Sequence, residues 1–194
     1  MTLSFSTKWD KRMGELAGHP NYFIDNIWDC IVDKDVKVNG TYDDLYKVRQ
    51  WRKFYRDYHN KTGECWDSKP GSQPKPHTIR HYPHDRWEAG MDIHMVINNR
   101  TKNRFQFAPV VKCVSTQYIS ISYQDSYPVV FIGNTKGSAM PFYWENLKGY
   151  EDGYGVEQMQ QLALNDGFPS VEAFFQYFNK DFKGKIIHWT DLKY

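Results

Sequence analysis

The sequence predicts an α+β protein, with a helical extension over residues 1–65 followed, over residues 66–194, by a β-barrel with flanking helices. Two observations carry this. Apolar residues recur at helical spacing before about residue 60 and at strand spacing beyond about residue 90. Between them lies Ser68-Lys-Pro-Gly-Ser-Gln-Pro-Lys-Pro76, whose glycine and prolines cannot sustain a helix, so the domain boundary falls there or just before it.

Residues 21–33 place Phe23, Ile24, Ile27, Trp28 and Ile31 on one helical face, with Pro20 where a helix commonly begins. After the turn signal Asn39-Gly40, Thr41 is expected to cap a second helix running to about His59. That helix carries Val48, Trp51, Phe54, Tyr55 and Tyr58 on one side and Arg49, Arg52, Lys53 and Arg56 on the other. Short β-branched and aromatic runs follow at Ile93–Ile97, Arg104–Phe107, Val110–Ser115, Tyr118–Ile121 and Val129–Ile132, a spacing that suggests a closed or nearly closed barrel. Residues 149–155 read as a loop feeding a helix over about 156–164. Ser170 caps another helix, with Val171, Phe174, Phe175 and Phe178 on one face, and Lys185–Thr190 reads as a final strand.

The 194 residues suffice for one main domain with an accessory subdomain. Aromatic residues at 17%, with fourteen Tyr and seven Trp, argue against disorder. A net charge of +2 is too small to identify a nucleic-acid partner until the charges are placed on a surface. Cys30, Cys65 and Cys113 are odd in number and lack zinc spacing, which fits a reduced, cytoplasmic setting without a metal or other cofactor. The N-terminus has no signal-peptide pattern, and no run approaches the roughly 18 apolar residues of a membrane span, so no membrane association is expected.

Lys75, Thr78 and Arg80 bring an ammonium, a hydroxyl and a guanidinium within six residues. In an extended chain Thr78 and Arg80 share one face, and the trio offers a base, a nucleophile and an anion clamp. The plainer alternative is a solvated loop followed by an edge strand.

The K-x-x-T-x-R pattern, its glycine-rich approach and the following Arg86-Trp87-Glu88-Ala89-Gly90-Met91-Asp92-Ile93 together resemble the ASCH domain family. The resemblance continues in Asp166-Gly167-Phe168-Pro169-Ser170-Val171-Glu172-Ala173-Phe174, similar to the family's D/E-G-F-x-S-x-E-x-F, and covers about residues 66–194. It implies a PUA-like β-barrel and RNA or a modified nucleoside as partner. Asn98–Pro109 is similar in flavour to phage-encoded members, which would place the protein in a bacterial host cytoplasm. Some members, the small bacterial N4-acetylcytidine amidohydrolases, imply catalytic roles for Lys75, Thr78, Arg80 and Asp166. Lys75 would deprotonate Thr78, Thr78 would attack the acyl carbon, Arg80 would stabilise the oxyanion, and Asp166 would orient Lys75 or shuttle the proton. Two departures stand out. Those enzymes have Glu where Asp166 stands, a carboxylate drawn back by about 1.5 Å. The stretch between Arg80 and Asp166 is also much longer here.

Further binding candidates are His77 at the pocket rim, Trp87 as a stacking platform or core residue, and Tyr150 and Tyr154 in the loop. Arg49, Arg52, Lys53 and Arg56, with Arg100, Lys102 and Arg104, would either follow a phosphate backbone or form a solvated surface. His77, His81, His84 and His94, near Asp85 and Asp92, do not match familiar metal spacings, and Cys113 reads as core. A non-catalytic RNA-binding module, a ribonuclease and a phage protein that binds a host factor are the competing functions. The oligomeric state is open.

Overall fold

The computed structural model describes residues 1–31, 37–38, 41–42, 44–69, 73–81, 85–124, 127–136, 140–144 and 155–194. In chain order these form β1 (Thr2–Ser4), a 3-10 segment (Lys11–Leu16), α1 (Phe23–Cys30), β2 (Lys37–Val38), β3 (Thr41–Tyr42) and α2 (Asp44–Thr62). Then come β4 (His77–His81), β5 (Asp92–Ile97), β6 (Phe105–Gln106), β7 (Val111–Lys112), β8 (Ser115–Gln124), β9 (Tyr127–Gly133) and β10 (Met140–Trp144). The chain ends with α3 (Val156–Asn165), α4 (Val171–Tyr177) and β11 (Phe182–His188).

The fold is therefore mixed α+β, and among the described residues its strands do not close into one barrel. One antiparallel sheet runs β10–β9–β8–β11–β4, a second joins β1, β5, β6 and β7, and β2 pairs with β3 in a small ribbon. Alternation in sequence reports which strands have a buried face, not whether the first and last of them meet. Thr41 lies in β3 instead of capping α2, which begins at Asp44. The expected strand Val110–Ser115 is split, because Val111–Lys112 pairs with β5 while Ser115 already pairs with His188 of β11. Ser170 does cap α4, accepting a hydrogen bond from Ala173 N at 3.2 Å.

Strand β11 divides two cores. Ile187 and Trp189 join Leu3, Phe5, Trp28, Trp66 and Ile93, whereas Ile186 joins Ile79, Ile119, Leu162 and Phe174. Residues from both sides of position 65 share the first core, which is why α1 and α2 are rich in aromatics. Tyr58 and Phe105 lie 5.3 Å apart, and Tyr55 meets Trp66 edge-on at 4.9 Å. Strand β1 adds to β5 in parallel, bringing Phe5 and the residues after it beside β4. Among the described residues no helix is long and apolar enough to cross a membrane.

Candidate active site

The site begins with the end of α3. Asp166 is its C-cap and Gly167 follows at φ +87°, the left-handed conformation in which a helix can stop without a Cβ penalty. Gly167 N donates to Leu164 O and Phe168 N to Ala163 O, which closes the turn. A Cβ on Gly167 would stand 2.7 Å from Phe23 Cε1 and 3.3 Å from Lys75 Cδ, so the residue also permits close packing. This turn carries the Asp166 carbonyl and carboxylate to Lys75.

Lys75 is 1% exposed and Asp166 4%. The Lys75 ammonium donates to Asp166 Oδ1 at 2.6 Å and to the Asp166 carbonyl, and it lies 4.7 Å from the Phe23 ring centroid. A cation here meets a carboxylate, the negative end of a helix and an aromatic face. Burial lowers the Lys75 pKa, with Asp166 opposing and Arg80 assisting, and raises that of Asp166, with Lys75 opposing. Both shifts move the pair toward exchanging a proton. Ile79 N holds Asp166 Oδ1 at 3.3 Å.

Strand β4 places the other groups. Its pairing with β11 sets Thr78 opposite Ile187 and Arg80 opposite Lys185. Arg80 donates to Ser4 O at 2.8 Å and lies over the Phe5 ring at 5.0 Å. Its Nε has no hydrogen-bond partner. Lys75, Thr78, Arg80 and Asp166 all line one cleft of about 210 Å³, with Trp9 and Phe168 among its apolar walls. Among the described residues no hydrogen bond joins Lys75 to Thr78, and the Lys75 ammonium is turned to Asp166.

His77 is not at the rim. It is fully buried on the opposite face of β4 from Thr78, bonded through Nε2 to the Tyr194 hydroxyl at 2.7 Å and set 5.2 Å from the His188 ring. Asn165 donates to the same hydroxyl at 2.8 Å. Nδ1 faces Asp166 Oδ1 at 3.9 Å. Burial, then His188 and Lys75, hold the His77 pKa well below its ordinary value, so the ring is neutral near pH 7.

Of the two readings of Trp87 the structure agrees with core and not with a stacking platform: it is buried in the first core and its carbonyl accepts from Lys185 at 2.8 Å. Lys185 forms an ion pair with Asp85, to which Tyr118 donates at 2.7 Å. Arg49, Arg52, Lys53 and Arg56 are exposed along α2, as are Arg100, Lys102 and Arg104 in the loop after β5. Lys61 at the end of α2 donates to Arg104 O at 2.6 Å and so joins these two basic stretches. Tyr150, Tyr154 and His84 lie outside the described residues. His81 is exposed and His94 faces Gln106, and among the described residues no three His, Cys, Asp or Glu side chains gather as metal ligands. Cys113 is buried in the first core, where burial pushes its thiol up.

Sequence reasoning missed the N-terminal wall of the cleft, Phe5, Ser6, Lys8, Trp9, Asp10, Asn21 and Phe23, and the support from Asn165 and Tyr194. Trp9 is the one local signal, a large ring outside any helical or strand pattern; it meets Phe23 edge-on at 5.2 Å and Phe168 at 5.5 Å. Comparisons with protein-family models, with curated proteins and with solved structures find no match for the chain.

Proposed function

We propose that the chain is an ASCH-type protein on a PUA-like scaffold and that it hydrolyses the amide of an acylated nucleoside, N4-acetylcytidine being the first substrate to try. The observation that carries this reading is the buried Lys75–Asp166 pair opening on a cleft that Thr78 and Arg80 also line. A cleft of about 210 Å³ is smaller than the roughly 300–1,000 Å³ usual for drug-sized ligands, which suits one modified base better than a duplex.

In the proposed reaction, Lys75 passes a proton to Asp166 and turns, neutral, toward Thr78. The Thr78 oxygen attacks the acyl carbon while Lys75 takes its proton, and negative charge moves to the acyl oxygen beside Arg80. Collapse breaks the C–N bond, Lys75 returns the proton to the cytosine amine, and water then releases acetate from Thr78. The shorter Asp166 still meets Lys75 because the helix end supplies both its carboxylate and its carbonyl. Incubating purified protein with N4-acetylcytidine and other acylated nucleosides, with product detection by mass spectrometry, tests the reading. Turnover lost in Lys75→Ala and Thr78→Ala supports it, and no turnover by folded wild-type protein overturns it.

A second reading, RNA binding without chemistry, is favoured by the exposed basic residues that Lys61 connects. Affinity that falls steeply with salt, without turnover, would select it.

A further inference from the structure

A second cleft, about 410 Å³ in volume, lies between α1 and α2 and shares no lining residue with the Lys75 cleft. Its size is that of an ordinary small-ligand site. Its floor is the buried Trp28 and one wall is the half-buried Trp51. Tyr55 stacks on Trp51 with the ring planes 17° apart, and Asp25 fixes the indole by accepting from Nε1 at 3.0 Å. The second oxygen of Asp25 accepts from Lys69 N at 2.7 Å, so that carboxylate is already engaged within the fold.

Asp29, one helical turn further along α1, differs. It lines the cleft, and its buried Oδ2 has no hydrogen-bond partner. Burial pushes this carboxyl up, with Lys47 opposing, which marks a group lacking the donors an ionised carboxylate needs. Lys47 and the exposed Arg52 complete the lining with two cations. The site thus combines a flat apolar wall, one acceptor in want of an N–H group, and positive charge on α2.

We propose that this cleft binds a nucleotide whose base bears an exocyclic amino group, with the base along Trp51, the amino group on Asp29 and the phosphate on Lys47 and Arg52. Adenine, cytosine and guanine offer an amino N–H to a carboxylate. Uracil offers its one imino N–H between two carbonyl oxygens that repel it. The proposal does not depend on chemistry at Lys75, so either reading can fail alone.

Isothermal titration calorimetry of the full chain with AMP, CMP, GMP and UMP, and with unphosphorylated cytidine, tests it. Wild-type protein should bind the three amino-bearing nucleotides saturably and UMP at least about tenfold more weakly. Asp29→Asn should remove that preference, and Arg52→Ala should weaken CMP about tenfold while leaving cytidine unchanged. If Asp29→Asn does not fold, the wild-type contrast and Arg52→Ala still decide. Absence of saturable binding, or equal affinity for CMP and UMP, overturns the proposal, as does CMP binding indifferent to Arg52→Ala.

Discussion

Lys75 and Asp166 are 91 positions apart in the chain and meet at 2.6 Å in the interior, each nearly inaccessible to solvent. Their contact ties the approach to β4 to the end of α3. Removing one partner leaves the other charge buried and unpaired, so Lys75→Met and Asp166→Asn should each cost about 3–5 kcal/mol. The double variant should lose clearly less than the sum of the two, as urea unfolding of all four proteins would measure.

Gly167→Ala combines a left-handed backbone with a Cβ 2.7 Å from Phe23. It should lower stability by about 2 kcal/mol or more, and pairing it with Phe23→Leu should recover part of that loss by relieving the contact alone. Thermal unfolding distinguishes the two contributions.

His188 is fully buried, and burial, helped by Lys193, depresses its pKa from 6.5 to about 4. His77 is depressed in the same direction. The unfolded chain therefore takes up protons that the folded chain refuses, so this contribution to stability is intact above pH 6.5 and is lost as pH falls toward 4. For His188 alone the loss amounts to about 3 kcal/mol. The urea midpoint should drop between pH 7 and pH 4.5, and His188→Phe should flatten that drop.

Replacing Arg49, Arg52 and Arg56 together with Gln tests the basic face of α2. If it follows a phosphate backbone, affinity for single-stranded RNA falls, and the slope of log affinity against log salt becomes shallower by about 0.7 for each contact removed. An unchanged slope in filter binding would identify these arginines as a solvated helix face.

The parts of the fold legible in the sequence are those with local causes. Helix α2 announces itself through its aromatic side, α4 through the Ser170 cap, and β5 through the short apolar run Ile93–Ile97. Spacing alone groups Lys75, Thr78 and Arg80, the resemblance to the ASCH family adds Asp166, and the fold brings all four to one cleft. What escaped depends on distant pairing. Three residues of β1 are too few for a pattern, yet their parallel register with His94–Val96 brings the N-terminal wall to the site. His77 faces inward because its register with His188 turns it toward Tyr194, and nothing near residue 77 encodes that partner. The Thr41 cap failed because a short ribbon took that residue before the helix began.

In the proposed reaction Thr78 carries the acyl group as an ester. Rapid-quench intact-mass and peptide mass spectrometry of the protein mixed with N4-acetylcytidine tests it most directly. The expected result is a transient acetyl adduct on the peptide containing Thr78, formed as cytidine is released and absent in Thr78→Ala. Cytidine release that persists in Thr78→Ala, or folded wild-type protein that yields neither adduct nor cytidine, would contradict it.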